Sequence, residues 1–300
     1  MVSFHQLNPL LALDSLHCEE EHCDSNDYEE IIIEKTYFEE GVWDPDHKLN
    51  PESFVGFLEN NWLSEDEDLK CLLAKEKVNQ VCSGFEPSPS RAEAVEWILK
   101  VAAYYSFSAL TAVHAVNYLD RFLYSFQSHT ERPWMNQLVA VACLSLAAKV
   151  EETQVPLILD LQVEEAKYAF DSKTIQRMEL LVLSTLEWKM NPVTPHSFLY
   201  YISRNLGSKS SLSKDFLRRS ESLLLSIICD CRFVCHLPSA LATATMLYVI
   251  NSVEPTIGVQ YQDQLINIFG TNKEKVEQSC RFIQDVATAH KCALLLKQQN

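Results

Sequence analysis

The sequence predicts an all-α protein, and three observations carry that expectation. Apolar residues recur at spacings of three and four through most of the chain after residue 64, the period of one helical face. No segment alternates convincingly between apolar and polar residues at period two, as a half-buried strand would. Ser–Glu pairs three residues apart stand ahead of two of the apolar runs, where each side chain can bond the other's backbone N–H at a helix start.

The elements follow in order. From Glu19 to Glu40 ten acidic residues face a single Lys35, a charge density that resists collapse, so residues 1–50 should form a disordered, solvated arm. Ser64 and Glu67 make the first capping box, and Leu69, Leu72 and Leu73 then carry a short amphipathic helix to about Val78. After a loop with Gly84, Pro87 and Pro89, a second box of Ser90 and Glu93 opens a helix with Ala94, Trp97, Ile98, Val101, Tyr104 and Tyr105 inward. Ser108 can cap the next helix, which turns Ala112, Val113, Val116, Leu119, Phe122 and Leu123 inward. Pro133 suits a first helical turn, and the segment from it to about Lys149 is apolar all round, as a central buried helix is. Another helix should run from Ser172 to about Leu186.

Two prolines within Asn191-Pro192-Val193-Thr194-Pro195 break the pattern and mark a linker, dividing residues 51–191 from residues 192–300. Thr194-Pro195 reads as a cap with a first-turn proline, and one long helical segment is expected from Ser213 to Cys235. Pro238 then opens SALATATMLYVIN, rich in small residues like QLVAVACLSLAAK at Gln137–Lys149, so the halves read as weak repeats about 100 residues apart.

Composition excludes several function classes. A net charge of −16 and a pI near 5.0 disfavour a nucleic-acid surface, because the longest basic run is Arg218-Arg219 and phosphate neutralisation needs clustered cations. Six glycines and no GxG leave no dinucleotide or phosphate loop. The uncharged stretches Pro133–Ala148 and Leu237–Val253, at 16 and 17 residues, fall short of a bilayer span, so no membrane partner is expected. Ten scattered cysteines with no secretory leader point to free thiols in a reducing compartment.

Cys229, Cys231, Cys235 and His236 have neither the spacing of paired zinc knuckles nor a loop around them, so they read as core residues of a buried helix. Glu19 and His22 make an ExxH without the second pair that a di-iron bundle needs. No metal or cofactor is expected. Ser88-Pro89-Ser90-Arg91 fits proline-directed phosphorylation and fits turn and cap chemistry equally well.

RAEAVEWILKV at Arg91–Val101, AVNYLDRFL at Ala115–Leu123, AAKVEE at Ala147–Glu152, ETQVPLI and IQRMELLVLSTLEWKM at Ile175–Met190 together resemble the cyclin box. The blocks look most like plant D-type cyclins, near the third subgroup of that class, over about Pro51 to Leu296. The resemblance implies two tandem five-helix bundles, a short helix ahead of the first, and no catalysis. It implies a regulatory subunit that activates a cyclin-dependent kinase at the G1/S transition, in the nucleus and also the cytoplasm, although no basic localisation run is visible. Kinase inhibitor proteins are implied as further partners.

The resemblance also assigns residues. Arg91 and Asp120, on neighbouring helices and facing inward, match a buried ion pair, and burial of either charge is tolerable only when paired. Lys149 and Glu179 match the groups that bind the regulatory helix of the kinase, with Val150, Leu183 and Trp188 as apolar members of that surface. Taken without the resemblance, Lys149 is a favourably placed cation at a helix end and Glu179 a residue on a solvated face. Trp97 and Gln137 match a substrate-docking patch, from which Glu93 and Lys100 depart, and a helical Trp is more often core.

Within the acidic arm, DSLHCEEEHCDSNDYEE at Asp14–Glu30 contains Leu16, Cys18 and Glu20, the LxCxE by which D-type cyclins bind retinoblastoma-related pocket proteins. In an extended chain residues i, i+2 and i+4 face one side, so all three can enter one groove, and the acidic flank suits a basic rim. Two other classes compete. A cyclin-fold transcription or scaffold protein would carry a basic face, which the net charge of −16 disfavours, and a helical metalloenzyme would carry a ligand set.

Overall fold

The structure, a computed structural model, describes residues 67–78, 89–125, 133–162, 168–205, 211–253, 265–266, 269 and 271–297. Among the described residues there are nine α-helices, one 3₁₀-helix and no strand. They divide into two units joined near residue 191.

The first unit holds α2 (Pro89–Tyr104), α3 (Ala109–Ser125), α4 (Pro133–Glu151) and α5 (Ser172–Thr185). Helix α4 is its axis and packs against α2, α3 and α5, because its side chains leave no polar face to expose: every residue from 138 to 148 is buried. Alanines at 140, 142, 147 and 148 bring the neighbouring backbones close. Helix α3 starts where Ser108 Oγ accepts from the Thr111 N–H at 3.2 Å, as its sequence predicts. Helix α5 is capped by Asp171, whose carboxylate accepts from Thr174 N and Oγ1, both at 2.8 Å. Helix α2 begins at Pro89, one residue ahead of the Ser90 expected to cap it. Between α4 and α5 a turn closed by Asp160 N–H on the Leu157 carbonyl buries Leu161, while residues 163–167 lie outside the description.

The second unit holds α6 (Pro195–Asn205), α7 (Ser211–Ile227), a 3₁₀-helix (Cys231–Cys235), α8 (Pro238–Val253) and α9 (Lys273–Lys297). Helix α8 is its axis, packed against α6, α7 and α9. The core adds Leu265, Ile266 and Phe269, and Phe269 meets the Phe198 ring edge-on at 5.7 Å. Thr194 and Ser197 close the first turn of α6 as a reciprocal box, Ser197 N–H bonding the Thr194 carbonyl and Thr194 N–H the Ser197 hydroxyl.

The short helix α1 (Glu67–Val78), grouped by the sequence with residues 51–191, packs on α6 and α8 of the second unit, where Leu69 enters the core. The buried Glu76 carboxylate accepts from Ser239 N–H at 2.6 Å and Ser239 Oγ at 2.9 Å, at the first turn of α8, where unpaired amides and the helix dipole favour an anion. One sequence expectation is corrected here: Ser213–Cys235 is not one helix. Helix α7 stops at Ile227, because Asp230 takes an extended conformation and turns its carboxylate onto the Arg232 N–H, a local bond that competes with the helix. Cys231 and Cys235 are consequently exposed rather than core. Among the described residues no group of three His, Cys, Asp or Glu could hold a metal, and no helix is long and apolar enough to cross a membrane.

Candidate functional site

The first unit is pinned at both ends of its helices. Near the start of α2, the Arg91 guanidinium meets the Asp120 carboxylate of α3 through Nε–Oδ1 at 2.6 Å and Nη2–Oδ2 at 2.9 Å, a bidentate fork. Both residues are buried, and burial pushes the Asp120 carboxyl up while the two bonds from Arg91 oppose that rise. At the C-terminal end of α4, Glu152 Oε1 accepts from Ser108 N–H at 2.8 Å and Thr111 Oγ1 at 2.5 Å, across the start of α3. Desolvation raises the Glu152 carboxyl, but the bonds from Thr111 and Ser108 outweigh it and leave the group below its usual range. Glu151 reaches His114 of α3 with Oε1–Nδ1 at 2.9 Å. Two of the four polar or apolar groups in the run 149–152 are thus spent on holding α3.

The other two turn to α5 and to the outside. Lys149 Nζ lies 2.5 Å from Glu179 Oε1, and Val150 is 52% exposed. Glu179 is not on a solvated face: it is buried at 7%, and only Lys149, with 46% of its side chain accessible, is open to a partner. On α5, Leu183 is half-buried one turn beyond Glu179, and Leu180 is 59% exposed, a member of this surface that sequence reasoning missed.

The end of α5 presents the last member. The Trp188 N–H bonds the Leu183 carbonyl at 2.9 Å and the Glu187 N–H bonds the Ser184 carbonyl at 3.1 Å, the two bonds of a Schellman stop. Glycine usually occupies the left-handed position of that stop, yet here Glu187 has φ 53° and Trp188 follows at φ 61°. Two consecutive left-handed residues with side chains cost about 1–3 kcal/mol each. The result is an indole that is 66% exposed, in the same unit as the exposed Val150 and Leu180. A large apolar side chain held outward by costly backbone is suited to docking, not to the core.

The remaining sequence-assigned residues fare differently. Trp97 is core at 8% exposure, and its Nε1 is buried without a protein partner. Gln137 is half-buried and its Nε2 donates to the Tyr168 carbonyl at 3.1 Å. Glu93 is exposed, and Lys100 Nζ stands 3.8 Å from Glu96 one turn back on α2. The structure therefore joins Lys149 to Glu179, leaves Val150 and Trp188 exposed and Leu183 half-buried, and keeps Trp97 and Gln137 engaged within the unit. Leu16, Cys18 and Glu20 lie outside the described residues.

Comparison with known proteins agrees with this architecture. The family model of the cyclin N-terminal domain matches residues 63–191, and that of the cyclin C-terminal domain matches residues 193–299. The chain is 47% identical to Cyclin-D3-2 of Arabidopsis thaliana over 89% of its length and 73% of that protein's. It is 54% identical to Cyclin-D3-1 of the same plant over 73% of its length and 59% of that protein's. For Cyclin-D3-3 the identity is 43% over 97% of this chain and 78% of that one. The fold is also that of a viral cyclin from herpesvirus saimiri seen by X-ray, with a TM-score of 0.62, 14% identity, and coverage of 74% of this chain and 97% of that one. Two matched domains, an all-α architecture and this likeness to the D3 group lead to one conclusion: the chain belongs to the cyclin family, among the plant D-type cyclins.

Proposed function

We propose that this chain is the regulatory subunit of a cyclin-dependent serine/threonine kinase, acting at the G1/S transition in the nucleus, with no catalysis of its own. The observation that carries this reading is the ion pair between the end of α4 and the middle of α5, open at its lysine, with Val150 and Leu180 exposed next to its two members in the chain and Trp188 exposed just past α5. Such an arrangement offers apolar area for a partner helix and a cation for its backbone carbonyls or acidic groups. The subunit needs no chemistry. It binds the kinase whose regulatory helix is in place more tightly than the one whose helix is displaced, and so shifts the population. A shift from 1:99 to 99:1 needs a preference of about 10⁴-fold, or ~5.5 kcal/mol, which a docked Trp and a desolvated ion pair can supply.

Leu16, Cys18 and Glu20 add a second contact, to a retinoblastoma-related pocket protein, which becomes the preferred substrate because it is tethered. Kinase inhibitor proteins compete for the assembled pair. Reconstitution tests the reading. The chain mixed with a plant cyclin-dependent kinase should phosphorylate a histone-type peptide and a pocket protein, while the chain alone does neither. A pair that forms without gaining activity, or no pair at all, would overturn it.

A further inference from the structure

The segment that displays Trp188 is not held by helix α5 alone. Beyond the stop at Glu187 and Trp188 the chain makes a tight turn, Met190 N–H bonding the Trp188 carbonyl at 2.9 Å around Lys189. Two side chains of α3 grip this turn. The Tyr118 hydroxyl donates to the Met190 carbonyl at 2.5 Å, and Arg121 Nη1 donates to the Lys189 carbonyl at 2.9 Å. Tyr118 and Arg121 lie three residues apart, on one face of α3, so one helix supplies both bonds. Tyr118 is fully buried, and burial pushes its phenol well above its usual range, so it remains a donor throughout the physiological range. The Arg121 guanidinium also feels the Glu187 carboxylate, which in turn holds Lys189 Nζ at 2.5 Å.

We propose that Tyr118 and Arg121 are positioning residues for kinase docking: by holding the Met190 and Lys189 carbonyls they stabilise the two left-handed residues that keep the Trp188 indole outward. The proposal rests on the kinase-docking reading above. Two successive left-handed residues with side chains relax to other conformations unless the surroundings over-determine them. Here the flanking peptides are fixed by one neutral and one charge-assisted bond, both to backbone carbonyls. Without the bonds the indole samples inward or extended positions, and the docking-competent fraction of the cyclin falls; apparent affinity falls by that same fraction.

The test is a double-mutant cycle on kinase affinity with the full chain. Trp188→Ala should weaken binding to the kinase about thirtyfold. Arg121→Ala and Tyr118→Phe should each weaken it about tenfold in the wild-type background, and should add almost nothing once Trp188 is Ala. Arg121→Lys, which keeps a donor, should recover most of the loss. In 5-fluorotryptophan-labelled protein the ¹⁹F resonance assigned by Trp188→Phe should broaden or move in Arg121→Ala, with the other indoles unchanged. If Trp188→Ala binds the kinase like wild type, the docking reading itself fails. If Trp188→Ala weakens binding but Arg121→Ala and Tyr118→Phe leave it intact, or weaken it additively with Trp188→Ala, the positioning role is wrong. Tyr118→Phe removes only a hydroxyl, so a folding defect in Arg121→Ala does not decide the outcome.

Discussion

Lys149 Nζ, at the end of α4, and Glu179 Oε1, in the middle of α5, stand 2.5 Å apart, with the lysine half exposed and the glutamate buried. The pair is unequal, and that inequality separates the effects of substituting its members. Lys149→Ala should cost about 1–3 kcal/mol of stability, because it removes a partly solvated cation but leaves the buried Glu179 carboxylate without that partner. Glu179→Lys buries a second ammonium against the first and should cost about 3 kcal/mol or more. Both should abolish capture of the kinase. The swap Lys149→Glu with Glu179→Lys should regain much of the lost stability but not the binding, since the exposed sign is reversed. Thermal melts and pull-down of the purified kinase measure the two quantities; equal melting losses for the two single substitutions would contradict the burial difference.

The Arg91–Asp120 fork predicts a large structural effect with no direct role in docking. Arg91→Ala should destabilise the first unit by about 3–5 kcal/mol, because Asp120 is then a buried charge without a partner. Replacing both, Arg91→Met with Asp120→Leu, should cost less than either single change. Chemical denaturation of the three variants gives the comparison, and a double variant as unstable as the sum of its singles would place the pair in solvent.

Glu76 makes the stability of the second unit fall, through this group, as pH rises out of the mildly acid range. Burial raises its carboxyl above the usual 4.5, against the opposing bonds from Ser239 and the ammoniums of Lys275 and Lys77. The folded state therefore binds the proton more tightly than the unfolded one. The stability this group contributes is fully present below pH 4.5 and declines as pH rises through its folded value. Glu76→Gln should flatten the pH dependence of unfolding just above pH 4.5. An unchanged slope in that variant would show that Glu76 titrates as a solvated residue.

A peptide of residues 14–30 should bind a retinoblastoma-related pocket without the kinase. Cys18→Gly should weaken it about thirtyfold, ~2 kcal/mol, by removing a small thiol from a fitted pocket, and Glu20→Lys should add repulsion at a basic rim. In the full chain both variants should still activate the kinase on a generic peptide, yet phosphorylate the pocket protein poorly when it is dilute. Calorimetry on the peptides and initial rates at two pocket-protein concentrations test this; equal binding by Cys18→Gly would make the motif an accident of composition.

Much of the fold was legible in the chain itself. Helices that are apolar all round must be central, whatever surrounds them, so α4 and α8 could be assigned as axes from composition. The proline pair at 192 and 195 marked the division because no helix passes through it. Arg91 and Asp120 each lie on the inward stripe of their helices, where a charge demands its opposite, but it was the resemblance to cyclins that paired them. The docking roles proposed for Lys149, Val150, Leu183 and Trp188 came only through the resemblance to cyclins.

What the chain alone could not decide depended on which elements meet. A glutamate such as Glu179, at the edge of an apolar stripe, is solvated or buried according to the helix packed beside it, and only tertiary structure supplies Lys149 and α4. Glu76 and Ser239 lie 163 positions apart, so nothing local announces that α1 caps α8 rather than joining the nearer bundle. Cys231 and Cys235 carried an apolar period that the carboxylate of Asp230 overrode by bonding the backbone next to it. The stop after α5 had no glycine to mark it. Its two left-handed residues are paid for by hydrogen bonds from Tyr118 and Arg121, whose partners are backbone carbonyls, and a carbonyl is the same at every residue until the fold selects one.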